Sequence, residues 1–476
     1  MWGTEGTDPT AQQLGGRHLT GLVATALALL WCGCGGGGDK AAGTEGGHCY
    51  PNDTCNRGLS CLSTFCVLVT VDGSAPPPTD GAAADLAGPP ADGGIPDDGF
   101  KPAAHPRLPQ IANYGGTVLE TPKVRPIFYA GDDGAADLRG FLDELTRTDY
   151  WRQTTSEYGV GPLTVLTAIT AGAPGPLVIT DDDIRANLVA NTTGITPSWG
   201  EADASTIYML VLPAGTSGMV QGQSCCSDFG GYHYEAPAGR VTVPYAVICA
   251  CNGIFGTDLT PLQERTLTIS HELVEAATDP FPNSNPAYRV ADRADLVWTM
   301  TTGGEVSDMC AFNPDANFIP PGSTYMIQRS WSNAAAKLSR NPCVPARTTS
   351  TYVNSIPILG TVSFTSGGFT YSPLGVQIPF GQTRTIDVAL FSSARVTRPW
   401  RVSAYSYDET NSTVNPTLDL AFDRSTGLNG DTFRLTIAPR RVNPLYGAEV
   451  FLILSQYGNV QDADYQTNLS MGLVTN

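Results

Sequence analysis

The chain has 476 residues, too many for one ordinary domain, so two or three are expected. Its net charge is −18, only 15% of its residues are charged, and Gly (52) and Pro (36) are abundant. No basic stripe runs through it, which excludes a nucleic-acid binder, and the acidity suits a protein that works outside a cell.

Residues 1–34 read as an export signal. Arg17 and His18 precede an apolar run, Leu19–Trp31, that is shorter than the roughly 20 residues a bilayer span needs. Gly33-Cys34 followed by Gly-rich sequence leaves two readings open: a lipid anchor at Cys34 (with Cys32 the other candidate), or simple secretion to the cell exterior. Residues 46–68 carry Cys49, Cys55, Cys61 and Cys66, spaced Cys-x5-Cys-x5-Cys-x4-Cys. That spacing lacks the Cys-x2-Cys knuckle of a zinc site, so a small disulfide-stapled module is expected. Residues 69–107, made mostly of Pro, Gly, Ala and Asp, read as a linker.

Residues 108–346 alternate strand-like and helix-like segments. Val124–Tyr129, Leu163–Thr170, Ile207–Leu212 and Val241–Ile248 are strand candidates. Ala135–Arg147, with Leu138, Leu142 and Leu145 on one face, and Asp181–Asn191 are helix candidates. The class is therefore α+β or α/β.

The most informative segment is Ile269-Ser-His-Glu-Leu-Val-Glu-Ala-Ala-Thr-Asp-Pro280. Thr260 is a good N-cap, Pro261 suits the first helical position, Gln263 completes a capping box, and Pro280 ends the helix. Leu262, Ile269, Leu273 and Ala276 recur at helical spacing and predict a buried stripe. His271 and Glu275 stand four apart, about 40° around the axis, with Glu272 between them. This is the layout of a zinc-peptidase helix, two ligands bracketing a general base, with Glu replacing the second His. It makes a zincin-like α+β domain the expectation. A third ligand must come from elsewhere: Glu305 is the first choice and Asp308 the second, both in Gly-Gly-Glu-Val-Ser-Asp-Met-Cys310. Asp279 reads as a helix end, and His233 as either a structural histidine or a cleft residue that stabilises an oxyanion.

Cys225, Cys226, Cys249, Cys251, Cys310 and Cys343 are an even set in an exported chain, hence disulfides, with Cys310 expected to pair with Cys343. Residues 349–476 differ in kind. Ile386/Val388/Leu390, Val402/Ala404, Leu418/Leu420/Phe422 and Phe433/Leu435/Ile437 alternate with polar neighbours, predicting a β-sandwich of eight or nine short strands without His or Cys. It would be either a binding or spacer module or a packing appendage.

Ser-His-Glu-Leu-Val-Glu-Ala-Ala-Thr-Asp-Pro, then Gly-Glu-Val-Ser-Asp-Met-Cys, then Gln328-Arg-Ser-Trp-Ser-Asn333 resemble a family of secreted, metallopeptidase-like bacterial proteins, distantly similar to plant phosphate-induced, Exordium-like proteins. Tyr114-Gly-Gly and Glu157-Tyr-Gly-Val-Gly fit the same pattern, over roughly residues 110–345. The resemblance implies an extracellular domain with a metallopeptidase-like helix. Residues and resemblance together lead to two expectations. One is an exported Zn2+-dependent hydrolase acting on peptide or cell-wall material, with metal on His271, Glu275 and Glu305 or Asp308, and Glu272 as base. The other is a non-catalytic surface protein that binds a wall polymer on the same scaffold.

Overall fold

A computed structural model describes Ser60–Leu62, Phe65–Val67 and residues 100–476, apart from 256–257, 314, 348–350, 367–368, 408–415, 441–447, 460–461 and 463. The first two segments pair as an antiparallel hairpin with Cys61 opposite Cys66. The export signal with Cys32 and Cys34, the rest of the cysteine module and most of the linker lie outside the described residues.

The central region is built on a mixed sheet. Its strands are β1 (Lys123–Phe128), β2 (Thr164–Val165), β3 (Ile169–Thr170), β4 (Thr206–Val211), β5 (Gly231–Ala238) and β6 (Val241–Ile248). They lie in the order β5-β6-β4-β1-β2, with β3 also on β1; only the β5–β6 pair is antiparallel. The expected strand over Leu163–Thr170 is two short pieces, because residues 166–168 leave the ladder.

All six residues of β4 are buried, as a central strand covered on both faces must be. Ile207, Met209 and Val211 face one layer, which holds α1 (Ala135–Leu145) and α3 (Pro261–Thr278). Tyr208 and Leu210 face the other, where α2 (Asp181–Thr192) supplies Ile184 and Leu188.

Helix α3 has the predicted start. Thr260 Oγ1 accepts from the Gln263 amide at 3.2 Å, and Gln263 Oε1 accepts from the Thr260 amide at 2.9 Å. Its burial differs from a single stripe. From Glu264 to Thr278 every side chain but His271 is buried, while Leu262 is only partly so. The helix lies against β5 and β6 on one side and β7 (Ile327–Gln328) on another, so it is a core helix. Arg265 survives there by pairing with buried Asp132, at 2.8 and 3.1 Å.

Beyond α3 come α4 (Leu296–Thr302), α5 (Asp308–Ala311) and β8 (Ser330–Trp331), the last paired with Cys343–Val344. The disulfides are Cys225–Cys249, Cys226–Cys251 and the expected Cys310–Cys343.

Two sheets follow, in the β-sandwich-like arrangement expected. One has the order β9 (Val353–Pro357), β11 (Arg384–Ser392), β14 (Thr432–Pro439), β13 (Leu418–Phe422), all antiparallel. The other centres on β10 (Leu374–Gln377), β16 (Gln466–Thr475), β15 (Ala448–Tyr457) and β12 (Trp400–Tyr407). The alternating residues of β11 and β14 do fill the space between the sheets.

The outer face of the second sheet is not free. Ala448, Val450, Met471 and Leu473 join the same core as Trp298, Met300 and Trp331 of the central region, and Phe100–Asn476 form one unit. Among the described residues no helix is long and apolar enough to cross a membrane.

Candidate metal centre

One turn of α3 sets the centre. His271 Nε2 lies 3.1 Å from Glu275 Oε2, as i,i+4 spacing allows, and 3.4 Å from Asp308 Oδ1. On its other edge, His271 Nδ1 donates to Gln328 Oε1 at 3.1 Å. The Gln328 amide nitrogen is committed to Ser307 O at 2.8 Å, so its oxygen must face the imidazole. Nδ1 therefore carries a proton, and in the neutral ring Nε2 presents a lone pair to two carboxylate oxygens. Only a cation between them, a proton or a metal ion, makes that attractive. A histidine whose far nitrogen is held by an outer partner is the usual form of a metal ligand.

Asp308 arrives through the Gly-Gly segment. Gly303 and Gly304 have φ of +101° and +87°, where a side chain is strained. A Cβ on Gly303 would lie 1.9 Å from Asp308 Oδ2. The Ser307 and Asp308 amides then both donate to Glu275 Oε1, at 3.1 Å each. This fixes the Glu275 carboxylate and seats Asp308 beside it. The Cys310–Cys343 bond ties the same short helix to the strand next to β8.

The structure thus brings His271, Glu275 and Asp308 together, with their ligand atoms within 4.8 Å of one another. Glu305, the first choice for third donor from sequence, is not in this group. It is close enough to feel the Glu275 and Asp308 charges, but its turn offers only its amide, 3.5 Å from Asp308 Oδ2.

Glu272 faces the other way along the helix surface, towards β5. Its Oε2 is 3.4 Å from His233 Nδ1, and Glu275 Oε2 is 3.7 Å from the same nitrogen. His233 is therefore part of the centre. It gets there because β5 runs close to α3 at Gly231, where a Cβ would meet Thr268 Cγ2 at 2.5 Å and Glu272 Cγ at 3.1 Å.

Charge is crowded here. Glu272, Glu275, Asp279, Asp308 and His233 are buried around the partly exposed His271, and Glu305 is half-buried beside them. Burial, then the Glu275 charge, pushes Asp308 up to about 6. Burial pushes Asp279 up to about 6 as well. Burial and the Glu275 and Asp308 charges hold Glu305 well above the carboxylate range. Burial works against a charged His271, but Glu275 and Asp308 outweigh it and hold the ring well above its ordinary value. Burial is likewise outweighed at His233, by Glu272 and Glu275, and its value is raised. Burial would raise Glu275, but the His271 charge outweighs it and lowers it. A pocket that binds protons this strongly is short of positive charge, and a divalent cation would supply it. The donor set, imidazole plus carboxylates, fits zinc.

His271 is the member nearest solvent, with its side chain 18% exposed against 3% for Glu275 and 8% for Asp308. Sequence reasoning missed Gln328. Its only pointer was the Gln-Arg-Ser-Trp-Ser-Asn stretch, which carries no chemical role by itself.

No family model matches the chain, and no curated protein does. Among solved structures, the chain is similar to one described as "Crystal structure of the S-layer protein SbsC domains 4 and 5". Identity is 12%, coverage is 32% of this chain and 80% of that one, and the TM-score is 0.15. A likeness at that score carries no argument about fold or activity.

Proposed function

We propose that this chain is an exported, zinc-dependent hydrolase of the metallopeptidase-like family its motifs resemble, with a zincin-like central domain and peptide or wall-derived substrates. His271, Glu275 and Asp308 would hold the ion. Zinc, when bound, supplies Lewis acidity and acidifies a water. Gln328 fixes the His271 tautomer, and the Ser307 and Asp308 amides fix Glu275. Glu272 is the proton acceptor, its carboxylate turned towards His233. Three disulfides among the described residues fit an oxidising compartment. A lipid anchor at Cys34 would keep the enzyme at the cell surface.

The observation that carries this reading is His271 Nε2 facing two carboxylate oxygens with Nδ1 already committed. The test uses the full chain, zinc-loaded, on a broad peptide library. Glu272→Gln should cut turnover by about 10²-fold or more while zinc stays on His271, Glu275 and Asp308. Wild type with no turnover, and wall-polymer binding that Glu272→Gln leaves intact, would favour the binding-protein reading instead.

A further inference from the structure

Glu275 has more partners than a single cation site requires. Its Oε1 is taken by two backbone amides. Its Oε2 faces His271 Nε2 at 3.1 Å on one side and His233 Nδ1 at 3.7 Å on the other. The donors accordingly fall into two groups, not one: His271, Glu275 and Asp308, and His233, Glu272 and Glu275. Within each, the ligand atoms lie within 4.8 Å of one another. Each group holds one imidazole and two carboxylates, and Glu275 belongs to both.

We infer that His233, Glu272 and Glu275 form a second divalent-cation locus, so that the centre would accept two ions of the zinc class, with Glu275 common to both donor groups. This rests on the reading of the first group as a metal site. The donor types suit zinc or its first-row neighbours. The second group is the more enclosed, with His233 and Glu272 each 6% exposed and Glu275 3%. Two buried atoms in this region also lack any hydrogen-bond partner, His233 Nε2 and Asp279 Oδ2. Buried polar atoms are rarely left so. His233 differs from His271 in this respect: no hydrogen bond holds its Nε2, while its Nδ1 faces Glu272 and Glu275.

The geometry is also specific. The His233–Glu272 approach needs Gly231, because a larger residue would collide with Thr268 and press on Glu272. The second locus has a functional consequence. Glu272, the proton acceptor of the proposed hydrolysis, would be a donor to the second ion, so filling the second locus would take that base out of use.

The test is metal stoichiometry, which needs no substrate. The full chain is stripped, titrated with Zn2+ and analysed for bound metal after desalting, then titrated with Co2+ and followed by visible absorption. Circular dichroism checks each variant's fold. Wild type should hold two equivalents. His233→Gln and the isosteric Glu272→Gln should each hold one, and so should Asp308→Asn. Glu275→Gln should weaken both equivalents by more than the roughly 100-fold that loss of an outer partner costs. If wild type saturates at one equivalent that Asp308→Asn removes and His233→Gln leaves alone, the second locus is refuted and the first site stands. A second equivalent that persists in both His233→Gln and Glu272→Gln lies elsewhere and also overturns the inference. No bound metal in wild type overturns both readings.

Discussion

Breaking the Cys310–Cys343 bond should weaken metal binding, because the bond anchors the segment that carries Asp308. Cys310 and Asp308 share the four-residue helix α5. Cys343 pairs with Trp331 on the strand that follows Gln328, the residue that orients His271. The bond spans a sequence separation of 33, and in the chain-entropy model a loop of that size is worth about 4 kcal/mol. A helix of one turn has little intrinsic stability, so it relies on the anchor. If the whole amount fell on this segment, zinc affinity would drop by roughly 10³-fold, at tenfold per 1.4 kcal/mol. Part of it will fall on global unfolding, so a loss between about 10- and 10³-fold is expected. The assay is chelator competition on the full chain, comparing wild type with the Cys310→Ser, Cys343→Ser double variant. Zinc affinity within about threefold of wild type, less than 1 kcal/mol, would refute the claim that the disulfide organises the centre.

Two further outcomes follow from the same geometry. Gly303→Ala puts a Cβ against Asp308 Oδ2 at a φ of +101°. It should lower stability by about 1–3 kcal/mol and release zinc, readable as a reduced urea midpoint and metal content; a variant that keeps both would show that the turn does not seat Asp308. Metal-stripped protein should be more stable at pH 5 than at pH 8. Asp279 and Asp308 are raised in the fold to about 6 from an ordinary 3.8, so their ionisation is disfavoured and stability is lost as pH rises from about 4 through 6. His271 and His233 are raised as well, so their contribution is full below about 6.5 and fades as pH climbs through their folded values. Lowered Glu275 acts the other way, but only below its ordinary 4.5. Saturating zinc should reverse the preference by holding the carboxylates ionised. A stripped protein that melts higher at pH 8 would contradict this charge balance.

Local chemistry was legible in the sequence where neighbours along the chain decide the outcome. The start and end of α3 follow from Thr260, Pro261, Gln263 and Pro280, whose caps and steric blocks act within four residues. His271 beside Glu275 follows from helical spacing alone. The alternation in β11 and β14 shows which residues face inward, because a strand turns its side chains over every second residue. The Cys310–Cys343 pair was also within reach. Other features depended on contacts between distant segments, which no local pattern encodes. Whether Glu305 or Asp308 meets His271 turned on two backbone amides finding Glu275 Oε1 and on a glycine with no Cβ to block the approach. His233 joined the centre because β5 pairs with β6 and lies against α3 at Gly231, which brings together residues 39 apart in sequence. The β-strand module read as a β-sandwich, since its inner faces alternate cleanly, but whether it was a spacer or packed on the rest stayed open. Its last strand, β16, is buried on both faces, and the second face could be assigned only by seeing Met471 and Leu473 packed with Trp298 and Met300, because apolar residues do not specify which distant partner will cover them.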